Sequence, residues 1–158
     1  MNNKVPMTPQ GQRQLQELLK RLKTTDLSEA IRALEEARSH GDLSENAEYD
    51  IAKERHQQLT KQISDMERAL ANAQVIDPAT LTQDRVAFGA RVTLRDLDSA
   101  ETSQYQIVGI YEVDIQNGRI SVESPIARAL IGKESGDEVQ VQTPRGTRLF
   151  EVLKVQYV

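Results

Sequence analysis

The sequence predicts an α+β protein: an N-terminal antiparallel α-helical coiled-coil hairpin over residues 1–76, with its tip at 41–46, followed by a small antiparallel-sheet domain over 77–158. Three observations predict it. From about residue 8 to 73, apolar residues recur at steps of three and four, and the only glycines are Gly11 and Gly41. From Arg85 onward the apolar period falls to two. Between these regimes stands Asp77-Pro78, where the proline ring forbids helix continuation and biases Asp77 to an extended backbone.

The first arm carries Leu15, Leu18 and Leu22, then Leu27, Ile31 and Leu34. The step from Leu22 to Leu27 is five residues, which predicts a phase break near 23–25. Asp26 is placed to cap a restarted helix, with Glu29 completing a capping box. Gly41 is expected to stop that helix in the left-handed conformation. In the returning arm Tyr49, Ala52, His56, Leu59, Ile63, Met66, Leu70 and Ala73 form one heptad seam, which needs a partner helix. A helix over 45–73 would be about 43 Å long. Two such arms joined by a short link make an αα-hairpin.

Five alternating segments follow: Arg91-Val92-Thr93-Leu94-Arg95, Tyr105-Gln106-Ile107-Val108, Arg119-Ile120-Ser121-Val122-Glu123, Glu138-Val139-Gln140-Val141-Gln142, and residues 148–155. These are expected as half-buried antiparallel strands. One helical insert interrupts them, with Ser124 as its cap, Pro125 at its first position and Gly132 at its end.

Composition narrows the function. At 158 residues and 38% apolar content, the chain suits two small domains and a surface-rich, elongated shape. Cysteine is absent, so disulfides and thiolate chemistry are excluded. No apolar run reaches the roughly 18 residues of a membrane helix, and the N-terminus lacks a signal-like apolar stretch, so a soluble, cytoplasmic protein without membrane contact is expected. A net charge of −4 argues against gripping nucleic-acid phosphates over a broad surface. Between residues 35 and 54 there are seven acids against two bases, so this stretch repels phosphates and attracts cations.

The sharpest motif is Gly41-Asp42-Leu43-Ser44-Glu45-Asn46-Ala47-Glu48-Tyr49. Two carboxylates three residues apart at the end of a hairpin offer oxygen ligands to a hard cation such as Mg²⁺, which commonly takes one or two protein carboxylates and completes its shell with water and phosphate. The plainer reading makes Asp42 a helix cap and Glu45 its capping-box partner. The same tetrapeptide, Asp-Leu-Ser-Glu, stands at 26–29, and on the tetrapeptide alone capping is favoured. Both roles are compatible, since a capping Asp still exposes one oxygen.

Residues 36–49 together closely resemble the tip signature of the Gre family of transcript cleavage factors, in its GreA type. Ser124-Pro125-Ile126-Ala127-Arg128-Ala129-Leu130-Ile131-Gly132-Lys133 is similar to that family's C-terminal signature. Smaller matches are Pro6-Met7-Thr8, residues 72–77, Phe88-Gly89-Ala90 and Thr143-Pro144, so the resemblance spans nearly the whole chain in order. It implies an N-terminal coiled coil and an FKBP-like C-terminal domain that binds bacterial RNA polymerase at its secondary channel. It further implies that the factor stimulates hydrolytic cleavage of the 3′ end of backtracked nascent RNA. By the same resemblance Asp42 and Glu45 are the catalytic and metal residues, lent to a second Mg²⁺ shared with polymerase, and no cofactor is tightly bound. Arg38, Ser44, Asn46, Ser124 and Pro125 are implied as partner-binding residues. The chain departs from the family in having Thr25-Asp26 where Arg-Pro is common, and Ser44 where some relatives have Lys; Ser44 therefore reads as a turn residue rather than a catalyst.

The remaining candidates have plain readings. His40 and His56 lack clustered partners and read as packed or partly exposed histidines. Arg38 is placed to pair with Glu35 or Asp42, and Lys20, Arg21 and Lys23 read equally as a solvated face or an RNA-facing patch. The expected protein is a monomeric accessory factor, not an enzyme. The rivals are an inhibitor of polymerase with the same fold, a prolyl isomerase, and a dimerising coiled-coil scaffold. An isomerase would rest on fold alone, which does not carry function.

Overall fold

The computed structural model describes residues 4–39 and 47–158, so the expected tip at 41–46 lies outside the described residues. Two compact units are resolved by their internal packing. One comprises Arg13–Asn72; the other comprises Ala73–Val158 together with Lys4–Gln12.

The helical unit is built from α1 (Pro9–Arg21), α2 (Leu27–Ser39) and α3 (Ala47–Ala71). α1 and α2 are not separate helices. Leu22–Asp26 is a π-helical turn with helical backbone on either side, closed by the bond from Leu27 N–H to Leu22 C=O. The five-residue step is thus absorbed by one i→i+5 turn, which keeps Leu22 and Leu27 facing the same way without interrupting the backbone. The expected restart and capping box at 26–29 are corrected accordingly, because Asp26 lies inside the continuous helix.

Cross-arm contacts pair rising numbers on one arm with falling numbers on the other. Lys23 Nζ meets Glu67 at 3.1 Å and Glu29 meets Arg55 at 4.0 Å, so the arms are antiparallel. These exposed ion pairs are worth little individually; the apolar seam holds the arms. On α3, Ala52, Leu59, Ile63 and Met66 are buried and Tyr49, His56 and Leu70 half-buried, as the heptad reading expects. On α2 the seam runs through Leu27, Ala30, Leu34 and Ala37. Ala30 is 1% exposed, whereas Ile31, expected on the seam, is 40% exposed and lies on its flank. Ala73 leaves the helix altogether.

The second unit contains a two-stranded parallel ribbon and a five-stranded sheet. In the ribbon, β1 (Val5–Met7) pairs with β2 (Ala73–Val75). The sheet consists of β3 (Arg91–Asp96), β4 (Thr102–Val108), β5 (Arg119–Ser121), β6 (Glu138–Thr143) and β7 (Gly146–Gln156), in the order β5-β4-β3-β7-β6. Its pairings are antiparallel except that β4 and β5 run parallel, so the sheet is mixed where sequence predicted antiparallel. A bulge in β7 opposite Thr93 and Leu94 breaks the β3 ladder; such bulges increase local twist. β3 and β6 alternate buried and exposed positions along their length.

The helix α4 (Pro125–Leu130) packs against β6 and seals the core. That core includes Val86, Val92, Leu94, Ile107, Leu130 and Val152. Among the described residues, no helix is long and apolar enough to cross a membrane.

Candidate functional site

Asp42, Ser44, Glu45 and Asn46 lie outside the described residues, but the helices that carry them are defined on both sides. The described part of α2 runs to Ser39 and that of α3 begins at Ala47, so both acids fall, in sequence, between the two arms. Arg38, in the last turn of α2, places its guanidinium carbon 5.8 Å from the ring centroid of Tyr49 in the first turn of α3. This is a cation–π contact, in which the positive charge lies against the negative face of the ring. It joins the two arms. Nearby Ala33, Ala37, Ile51 and Ala52 line a shallow groove between the arms, and Ile51 is 68% exposed. Among the described residues, no group of three or more His, Asp or Glu side chains is arranged to hold a metal ion.

Ser124 and Pro125 lie in the second unit and begin α4 as the sequence predicts. Ser124 Oγ accepts from Ala127 N–H at 3.3 Å and donates to Ser121 C=O at 2.7 Å, while Pro125 occupies the first turn and is exposed. The Ser124 hydroxyl is therefore occupied with capping, and the exposed groups of this turn are Pro125 and Arg128. Gly132, at φ +88, ends the helix. In the same unit a hollow lined by Tyr105, Ile126, Val141 and Phe150 has Asp96 and Arg148 among its other lining residues.

Asp96 and Arg148 are ion-paired, and Asp96 Oδ1 also accepts from Asp98 N–H at 2.8 Å and Ser99 N–H at 3.2 Å. The Arg148 guanidinium and these two amides hold the Asp96 carboxyl below its ordinary range. The same carboxylate raises the pKa of Arg148.

The sequence reveals neither this ion pair nor a second polar centre. Glu112, 4% exposed, accepts from Thr8 N–H at 3.0 Å, Gly109 N–H at 3.2 Å and Arg119 at 3.4 Å, and also from the Thr8 hydroxyl. Thr8 Oγ1 in turn accepts from Gly11 N–H at 3.0 Å. Gly11 is required here by space: a Cβ would lie 2.0 Å from the Glu112 carboxyl carbon. The visible signal was Gly11 itself, a glycine near the start of a helical pattern with no turn to explain it.

The comparisons with known proteins agree along the chain. Residues 5–75 match the family model described as "Transcription elongation factor, N-terminal", and residues 81–157 match "Transcription elongation factor, GreA/GreB, C-term". The chain is 55% identical over 155 residues to the transcription elongation factor GreA of Phenylobacterium zucineum (strain HLK1), covering 98% of this chain and 99% of that protein. It is 53% identical over 157 residues to the protein of the same name from Magnetococcus marinus (strain ATCC BAA-1437 / JCM 17883 / MC-1), covering 99% and 100%. The crystal structure of GreA factor homolog 1 (Gfh1) of Thermus thermophilus is 27% identical, with a TM-score of 0.47, over 98% of this chain and 99% of that one.

Proposed function

This chain belongs to the GreA/GreB family of transcription elongation factors, and from that premise we propose that it carries Asp42 and Glu45 into RNA polymerase to promote hydrolysis of backtracked RNA. It is an accessory factor to RNA polymerase rather than an enzyme itself. What supports this reading best is the run Gly41-Asp42-Leu43-Ser44-Glu45-Asn46, which falls within the span matched by the N-terminal family model and, in sequence, between α2 and α3.

The donor set fits the ion. Asp42 and Glu45 are hard oxygen donors, and Mg²⁺ takes one or two carboxylates while keeping water and phosphate in its other positions. Such an ion, when bound between polymerase and factor, activates water or stabilises the leaving oxygen in phosphoryl transfer. The chain's own part is to deliver and orient oxygens. α3, 25 residues and about 37 Å long, supplies reach, and its seam with α2 supplies stiffness. Ser44 and Asn46 lie beside the acids in sequence, and Pro125 is exposed at the α4 turn beside Ser124. These four and Arg38 are the proposed polymerase contacts, and entry is through the secondary channel.

The test is cleavage of end-labelled RNA in stalled, backtracked elongation complexes. Wild-type protein is expected to accelerate it. Asp42→Ala and Glu45→Ala should each lose about a hundredfold or more of that acceleration, corresponding to roughly 3 kcal/mol, while still competing for polymerase. A wild-type protein that binds polymerase and leaves the RNA intact would show the inhibitory reading to be right instead.

A further inference from the structure

We propose that the hollow beside α4 is a binding site for an extended peptide of a partner protein, one that carries a large aliphatic or aromatic side chain next to a lysine or arginine. The inference goes beyond the functional reading above and does not depend on it. α4 has six residues and is about 9 Å long, whereas five strands side by side span about 19 Å. The helix is too short to cover the whole face of the sheet. A hollow of about 440 Å³ remains, with Ile126 of α4, Tyr105 of β4, Val141 of β6 and Phe150 of β7 among its lining residues. That volume lies within the range of about 300–1,000 Å³ common to ligand sites.

The polar groups of the hollow call for hydrogen-bond acceptors. Asp96 is saturated, since Oδ1 accepts from two backbone amides and Oδ2 from Arg148. Arg148 carries five N–H donors, of which Asp96 takes one, and its side chain is 46% exposed. The Ser103 and Tyr105 hydroxyls, which also line the hollow, have no hydrogen-bond partner among the described residues. The backbone adds to this. Gln106 donates its N–H toward the β5 side, to Gly118 C=O, and Thr102 has the same parity on β4. β5 pairs only with residues 106–108, so among the described residues the edge of β4 at Thr102, another lining residue, has no strand opposite it. An extended peptide meets such an edge through its main chain while its side chains enter neighbouring pockets. A purely apolar ligand would leave these donors without acceptors.

Charge selects the neighbouring residue of the peptide. Asp98 and Glu101 both favour the charged form of Arg148, and neither is ion-paired with a base among the described residues. With Asp96 they set three acids around one guanidinium. Such a rim repels carboxylates and phosphates and attracts a cation. A lysine or arginine beside the apolar side chain supplies that cation and can lay its methylene stem on the apolar wall. Exposed ion pairs are individually weak, so charge chooses between peptides while burial of the apolar side chain supplies most of the affinity.

The experiment titrates the isotope-labelled full chain with capped tetrapeptides and follows its backbone amide resonances. With acetyl-Ala-Leu-Lys-Ala-amide, shifts at Ser103, Tyr105, Ile126 and Phe150 are expected to saturate at about millimolar peptide. Exchanging the peptide's leucine for alanine should abolish saturation, and exchanging its lysine for glutamate should weaken binding about three- to fivefold. Glu101→Lys, at an exposed position, should reverse the order of the lysine and glutamate peptides. If that variant disturbs the spectrum beyond the rim, Glu101→Gln decides, with an expected loss of about twofold for the lysine peptide only. No saturable shift, or shifts centred away from the hollow, would overturn the site. Equal affinity for the lysine and glutamate peptides, or no response to either change at Glu101, would overturn the proposed peptide chemistry. The measurement involves no polymerase, so it succeeds or fails apart from the functional reading.

Discussion

Glu112 shows how one buried carboxylate can organise a segment far away in the sequence. It gathers Thr8, Gly109 and Arg119, residues separated from one another by up to 111 positions, around two oxygens. Removing its charge leaves donors without a full acceptor, which costs more than the bonds themselves contribute. Glu112→Gln should therefore destabilise the protein by about 2–3 kcal/mol, read from chemical denaturation. Gly11→Ala is a sharper test. In an ordinary helix interior the change stabilises by roughly 1 kcal/mol, but here the new methyl collides with the Glu112 carboxyl, so a loss of about 1–3 kcal/mol is expected. Asp96 gives a pH-dependent counterpart. Its folded pKa is depressed, first by the hydrogen bond from Arg148, so its contribution is complete above the unfolded value of about 3.9 and fades as pH falls through the lower folded value. Asp96→Asn should flatten the fall of the thermal midpoint below about pH 4, and an unchanged acid limb would count against the ion pair.

At the scale of elements, the π-helical turn at Leu22–Asp26 reconciles a sequence that breaks phase with a backbone that does not. The turn accommodates one extra residue, so deleting one should let a regular helix form with the seam still aligned. Deletion of Thr25, which is exposed, is expected to preserve helix content and the thermal midpoint. Deletion of Ala33, beyond the turn, would instead rotate the two halves of the seam by about 100° relative to each other. That variant should lose several kcal/mol, measured by thermal unfolding. α4 is a plainer case. Ser124 caps it through the Ala127 amide, so Ser124→Ala should cost about 1 kcal/mol in unfolding experiments.

For the whole molecule, the net charge of −4 and the concentration of acids between residues 35 and 54 fit a factor whose nucleic acid is held by a partner. Two carboxylates, Asp42 and Glu45, would leave most of a Mg²⁺ shell to water, so the isolated protein should show no saturable Mg²⁺ binding below millimolar concentration in calorimetry. Tight binding would mean that the tip assembles its own site. The helical seam is satisfied within the chain by α2 and α3, and light scattering is expected to report a 17.8 kDa monomer.

The sequence by itself determined the elements that depend on periodicity and local chemistry. The α3 seam from Tyr49 to Leu70, the capped turn at Ser124-Pro125 and the five sheet strands were legible because repeating apolar steps and capping side chains act over a few residues. Asp42 and Glu45 stand out in the sequence only as a motif, through the resemblance of residues 36–49 to a known family, and they lie outside the described residues. Tertiary structure decided what depends on partners far apart in the chain. A three-residue strand such as β1 has no period to detect, and it exists because β2, 68 residues later, pairs with it in parallel. The five-residue step from Leu22 to Leu27 could be met by a break or by a π-turn, and packing of both leucines on the same side selected the turn. Ala30 rather than Ile31 faces α3, since that inward phase is set by the turn before it. Glu112 looks unremarkable in sequence and Gly11 shows only as a glycine near a helix start, because a buried charge and the space it fills are defined only when their partners arrive.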